Sequence, residues 1–192
     1  MTLPNLLSGL RIALVPVLLA LAWMGQSSAF VVTFAVAAAT DALDGYLARR
    51  LRQVTELGAR LDSIGDIALY FSLPLAAWWL WPDLVRAEAV WVVAAAGSVG
   101  FAIVVGFVRF GRLPSHHTWA AKTVTALLPF ACVALLLGYP TAFHLAMAAM
   151  VAVAIEELAI TLILPRWTTP VPTLLRALAL RKEAQRVAPE AR

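Results

Sequence analysis

Four aspartates carry the chemical content of this chain. Asp41 and Asp44 stand three residues apart, and Asp62 and Asp66 four apart, within TDALDGYLARRLRQVTELGARLDSIGDIALY. On a helix either spacing puts both carboxylates of a pair on one face, about 5–6 Å apart. A short connection between the two helices makes them antiparallel neighbours, so the four side chains can converge at one depth. Clustered carboxylate oxygens with no Cys or His nearby suit Mg²⁺, Mn²⁺ or Ca²⁺ and not Zn²⁺. Four of them suggest a two-metal site, the kind that clamps phosphoryl oxygens during in-line displacement.

The elements that must hold these residues are membrane helices. Of the 192 residues 62% are hydrophobic and 14% charged, against about 45–50% apolar and about 25% charged in soluble domains. That excess belongs to a surface facing lipid. A span needs about 20 mostly apolar residues. Six segments qualify: 7–25, 29–47, 57–81, 87–110, 118–138 and 142–164. The expected fold is therefore an all-α integral membrane protein, with residues 1–165 as a six-helix transmembrane catalytic domain and 166–192 as a basic cytoplasmic tail. Pro82, Pro140 and Pro165 fall at or beyond span ends. Pro16, Pro74 and Pro129 lie inside spans, where neighbouring helices re-satisfy the freed carbonyls. Trp78, Trp79, Trp81 and Trp91 read as an interfacial belt.

Of the 15 basic residues only Arg86 lies on the side of the loops around Gln26, Pro82 and Tyr139. The positive-inside bias makes both termini and the aspartate side cytoplasmic. With a net charge of +4, anionic headgroups and phosphate substrates are the expected partners, not nucleic acid. The weak n-region before Ile12 favours a retained first helix over a cleaved signal. Residues 173–187 can form an amphipathic helix on the cytoplasmic leaflet, or a loosely ordered solubilising tail. The single cysteine, Cys132, permits no intramolecular disulfide and reads as a small hydrophobe.

An aspartate within a membrane helix costs about 2.5–3.5 kcal/mol before mutual repulsion is added. Arg49 and Arg60 can offset part of that, and bound cations account better for four acids. Gly45, Gly58 and Gly65 adjoin the aspartates, where a missing side chain admits either a bulky ligand or close helix packing. Arg49 offers a planar donor for phosphate.

The run Asp41-Ala42-Leu43-Asp44-Gly45-Tyr46-Leu47-Ala48-Arg49, followed by Gly58, Asp62 and Asp66, resembles the signature of the CDP-alcohol phosphatidyltransferases at every fixed position and gap. The opening Leu3-Pro4-Asn5-Leu6-Leu7-Ser8, with Arg11 and Pro16, is similar to that of phosphatidylglycerophosphate synthases and bacterial cardiolipin synthases of this type. The resemblance implies transfer of a phosphatidyl group from CDP-diacylglycerol to an alcohol hydroxyl, with release of CMP. It implies Mg²⁺ or Mn²⁺, two ions, on Asp41, Asp44, Asp62 and Asp66, with Asp66 also the general base. It places Gly45, Ala48, Arg49, Gly58 and Asn5 around the CDP moiety. It further implies a homodimer in a bacterial inner membrane.

Arg109, Arg112 and Lys122 are the candidates for binding an acceptor phosphate, glycerol 3-phosphate being the favoured acceptor. Ordinary loop charge and snorkelling explain them equally well. Arg109 is followed by Phe110, where familiar phosphatidylglycerophosphate synthases carry Arg-Glu, so phosphatidylglycerol, inositol-phosphate and aminoalcohol acceptors stay open. His116 and His117 diverge on a helix and read as solvated. Glu156 and Glu157, mid-span, serve either bundle contacts or the acceptor pocket. The non-enzymatic alternative, a cation transporter, would spread its acids across the membrane depth.

Overall fold

A computed structural model of the chain describes residues 3–50, 55–112, 118–164, 167–168 and 171–187. Side chains are described for all of these except 3–4, 41–42, 44–49, 56–57, 59, 62–63 and 184–187. The described chain is all helix: α1 (Leu3–Trp23), α2 (Ser27–Arg50), α3 (Glu56–Leu80), α4 (Pro82–Phe110), α5 (Trp119–Leu136), α6 (Pro140–Ile163) and α7 (Leu174–Val187).

The helix ends follow from local chemistry. Gly25 closes α1 at φ 71°, a left-handed conformation that costs glycine nothing, and Gln26 N–H then donates to Leu21 O at 2.9 Å. Pro82 and Pro140 each open a helix, where the missing N–H has no intrahelical partner to lose. A loop was expected around Pro82; instead Trp81 alone separates α3 from α4. Trp81 N–H donates to Ala77 O at 2.8 Å, and Val85 N–H to Trp81 O at 3.0 Å.

Among the described residues four helices are long and apolar enough to cross a membrane: 5–23, 82–110, 119–136 and 140–163. Helices α2 and α3 contribute shorter apolar stretches, Ser27–Thr40 and Ile64–Leu80. They have 24 and 25 residues, but the motif's acids and arginines occupy the remainder. Phe71, Val90 and Val108 are among the large apolar side chains left exposed, as lipid-facing residues are.

The chain divides into two compact units. One comprises Met1–Glu88 with Cys132–Tyr139, the other Ala89–Ala131 with Pro140–Arg192. In the first, α1 packs against both α2 and α3. Leu18 and Ala22, Phe30 and Phe34, and Leu69 and Ala76 form its buried core. Helices α1 and α3 run parallel, because Asn5 meets Thr55, Arg11 meets Asp66 and Trp23 meets Trp79 in the same order along both. In the second unit α7 packs on α6 around buried Ile160, Leu164, Val171 and Ala177. The segment after residue 165 thus holds a helix seated on α6.

Candidate active site

The site is assembled on the first unit, where α3 begins. Thr55 caps the helix: its extended backbone (φ −127°, ψ 151°) presents Oγ1 to Gly58 N–H at 3.0 Å, satisfying an amide that has no intrahelical acceptor. The same hydroxyl donates to Asn5 Oδ1 at 3.2 Å. Asn5 is 5% exposed, and its amide lies where a side chain on residue 58 would go. A Cβ on Gly58 would stand 2.6 Å from Asn5 Oδ1. Gly58 therefore serves close approach of α1 to α3 in this state, one of the two roles open from sequence.

Two turns further along, the pattern repeats with charge. Arg11 Nη1 donates to Asp66 Oδ1 at 2.8 Å, with the arginine wholly buried and the aspartate 42% exposed. Gly65 lies beside this pair: a Cβ there would stand 3.4 Å from Arg11 Cδ and 3.5 Å from Ile12 Cγ1, ordinary van der Waals contact, so α1 packs closely here without depending on the glycine. A buried cation that loses its partner is strongly destabilising, and among the described residues Asp66 is an anion that answers Arg11. Accepting one guanidinium hydrogen bond does not exhaust a carboxylate, whose two oxygens offer about four lone-pair sites.

Asp41 and Asp44 lie in the last three turns of α2 and Asp62 one turn before Asp66 on α3; their side chains lie outside the described ones, as do those of Ala48 and Arg49 and the surroundings of Gly45. Among the described residues there is no cluster of three or more His, Cys, Asp or Glu, because only Asp66 of the four is described. Helices α2 and α3, which carry the four aspartates, both pack on α1.

The basic candidates fall in the second unit. Arg109 Nη2 donates to Leu164 O at 3.3 Å, capping the end of α6, and its guanidinium lies 5.7 Å from the Phe110 ring. Arg112 stacks 5.2 Å over Trp167, and Lys122 lies 5.4 Å from the Trp119 ring. Two of the three thus hold the chain that follows α6. That chain is held again at Pro172, whose carbonyl accepts from Trp119 N–H at 3.2 Å. Glu156 Oε1 accepts from Leu174 N–H at 3.3 Å, so this mid-helix acid anchors the start of α7. Ser115, His116 and His117 lie outside the described residues.

Sequence reasoning passed over Thr55 and the role of Arg11. A threonine directly before a helical run is an N-cap signal. Asn5, Ser8 and Arg11 recur every third residue, and all three are buried, a polar stripe on an otherwise apolar helix.

Comparison with known proteins identifies the family. Residues 1–181 match the family model of the CDP-alcohol phosphatidyltransferases. Over 160 residues, 74% of this chain and 75% of the other, the chain is 36% identical to a CDP-diacylglycerol–glycerol-3-phosphate 3-phosphatidyltransferase of Pseudomonas fluorescens. It is 36% identical over 124 residues to a CMP-forming cardiolipin synthase of Rattus norvegicus, spanning 62% of this chain and 39% of that one. A 69-residue stretch, 34% of this chain and 29% of the other, is 44% identical to a glycerol-3-phosphate 3-phosphatidyltransferase of Arabidopsis thaliana. No solved structure matches the chain. A helical enzyme with helices long and apolar enough to cross a membrane and both aspartate pairs of the motif is the class so defined, and the chain belongs to the CDP-alcohol phosphatidyltransferase family.

Proposed function

We propose that the protein transfers the phosphatidyl group of CDP-diacylglycerol to glycerol 3-phosphate, at a two-metal site on Asp41, Asp44, Asp62 and Asp66. The observation that carries this is the aspartate motif, complete on α2 and α3 in a member of this family. The acceptor rests on the Pseudomonas relative, named for glycerol 3-phosphate and matched over three quarters of its length. The donor set fits hard divalent cations, being all carboxylate with no neighbouring thiol or imidazole. Bound Mg²⁺ or Mn²⁺ would neutralise the pyrophosphate and the charge that develops on it. Gly45, Ala48, Arg49, Gly58 and Asn5 surround the CDP moiety. Asp66 takes the proton of the acceptor hydroxyl as that oxygen attacks the lipid-bearing phosphorus, and the bond to CMP breaks.

Six spans put the aspartates and both termini at the cytoplasmic face of a bacterial inner membrane, in a homodimer. Residues 1–165 form the catalytic domain and 166–192 the basic tail. A phosphatidylglycerol acceptor is the second reading. It is favoured by the cardiolipin synthase match and by the engagement of Arg109 and Arg112 in holding the chain after α6.

The test is CMP release from CDP-diacylglycerol in detergent micelles with glycerol 3-phosphate, phosphatidylglycerol, inositol phosphate or an aminoalcohol. Release with glycerol 3-phosphate, lost in EDTA and restored by Mg²⁺ or Mn²⁺, is expected; release only with another alcohol overturns the acceptor. Asp66→Asn should lower turnover by about 10²–10⁴-fold while CDP-diacylglycerol still binds.

A further inference from the structure

We infer that Arg11 is a positioning residue for Asp66, fixing the orientation of the carboxylate through which the reaction above takes its proton; the inference rests on that reading of Asp66. Three observations support it. Arg11 Nη1 lies 2.8 Å from Asp66 Oδ1, and the arginine is wholly buried, so its own rotamer is set by packing. The arginine stem packs directly against α3 at Gly65, the residue before Asp66, with Arg11 Cδ 3.4 Å and Nη1 3.7 Å from where a Cβ on Gly65 would be. Asp66 itself is 42% exposed, so packing alone does not fix its carboxylate, and a directional donor contributes that orientation.

Helix packing by itself gives a poor account of this arginine. The rest of α1 beyond Gly9 is Leu10, then Ile12 onward through a uniformly apolar run to Trp23. An apolar side chain at position 11 would join α1 to α3 without placing a cation in a membrane helix. Replacing buried ion pairs by packed hydrophobes is often neutral or stabilising. What an apolar residue cannot do is aim a carboxylate. A guanidinium does so through a planar fork with fixed donor directions, and its positive charge offsets that of the carboxylate it holds. Groups that orient metal-binding or proton-transferring carboxylates in this way typically change metal affinity or activity by about 10–100-fold when removed.

The experiment compares wild type, Arg11→Met, Arg11→Lys and Asp66→Asn in detergent. Folding is followed by thermal unfolding and size exclusion, Mn²⁺ binding by electron paramagnetic resonance of the free ion, and turnover by CMP release at saturating Mn²⁺. Folded Arg11→Met should bind Mn²⁺ about 10–100-fold more weakly and lose kcat by a similar factor, with KM for CDP-diacylglycerol within about threefold. Arg11→Lys, which keeps the charge but loses the fork and the reach, should fall between the two. Wild-type Mn²⁺ affinity and kcat in folded Arg11→Met overturn the inference. Should Arg11→Met fail to fold, the same wild-type values in Arg11→Lys overturn it, and reduced values in folded Arg11→Lys support it. Turnover retained by Asp66→Asn would instead refute the catalytic role of Asp66; an inactive Asp66→Asn beside an unaffected Arg11→Met refutes Arg11 alone.

Discussion

Gly58→Ala separates the two roles that a glycine in this motif can have. The added Cβ would lie 2.6 Å from Asn5 Oδ1 and 3.0 Å from Thr55 Oγ1, about 0.7 Å inside the usual C···O approach of about 3.3 Å. Asn5 is 5% exposed and short, so its amide can retreat only by giving up the hydrogen bond from Thr55. That bond contributes about 1 kcal/mol, and forcing a methyl into packed surroundings costs about 1–3 kcal/mol. Against this, alanine is about 0.5–1 kcal/mol better than glycine within a helix. The net is a destabilisation of about 1–3 kcal/mol, a drop in Tm of about 2–4 °C for each kcal/mol in a chain of this size. Tryptophan fluorescence during thermal unfolding in micelles reads it directly. Asn5→Ala in the same chain removes the obstructing amide, and the double variant should recover stability with a coupling of about 1–2 kcal/mol. An unchanged Tm in Gly58→Ala, with weakened CDP-diacylglycerol binding, would refute the packing argument and leave ligand approach as the reason for the glycine.

Two further substitutions test neighbouring contacts. Thr55→Ala removes the N-cap of α3 and should cost about 1 kcal/mol; the Gly58 amide then exchanges its hydrogen faster, and unchanged exchange would show that Oγ1 does not cap the helix. Glu156→Gln weakens the acceptor for Leu174 N–H and removes the negative charge at the start of α7, worth about 0.3–1 kcal/mol. Cleavage between residues 164 and 174 by added protease should accelerate while acceptor KM stays within about threefold. A raised KM with unchanged cleavage would move Glu156 into the acceptor pocket.

What the sequence made legible was whatever carries a local signature. The aspartate spacing, the glycine and proline punctuation and the length of the apolar runs all act within a few residues of the chain, and helices α1 to α6 follow from them closely. The resemblance to the family signature is local in the same sense, since its fixed positions lie within residues 41–66. The α3–α4 junction was harder, because Pro82 signals both the end of one helix and the first residue of the next. The partners of Arg11, Arg109 and Glu156 were not legible at all. Each pairs with a group at least 18 residues away, and a charge count cannot tell a buried arginine from a cytoplasmic one. Arg11 therefore entered the positive-inside tally although it is wholly buried against α3.

The relation between α1 and α3 changes how the motif itself should be understood. Gly58 and Gly65 are seven residues apart, two helical turns, and each lies against one polar residue of α1: Asn5 at the first, closer than a Cβ would allow, and Arg11 at the second, in van der Waals range. Parallel helices keep such a register only if the projecting residues recur at nearly the same interval, and Asn5 and Arg11 are separated by six. Gly58 thus sets how closely α1 approaches the start of α3, the Asn5 and Arg11 contacts mark the register, and Arg11 makes of that register a donor for Asp66. It follows that α1 has more than an anchoring part: sliding it by one turn would carry Arg11 about 5.4 Å along the axis, beyond hydrogen-bonding reach of the carboxylate it holds. The short motif on α2 and α3 depends on a polar stripe some thirty or more residues earlier in the chain, and mutations at Asn5 or Arg11 should be felt at Gly58 and Asp66 before they are felt in the lipid-facing helices.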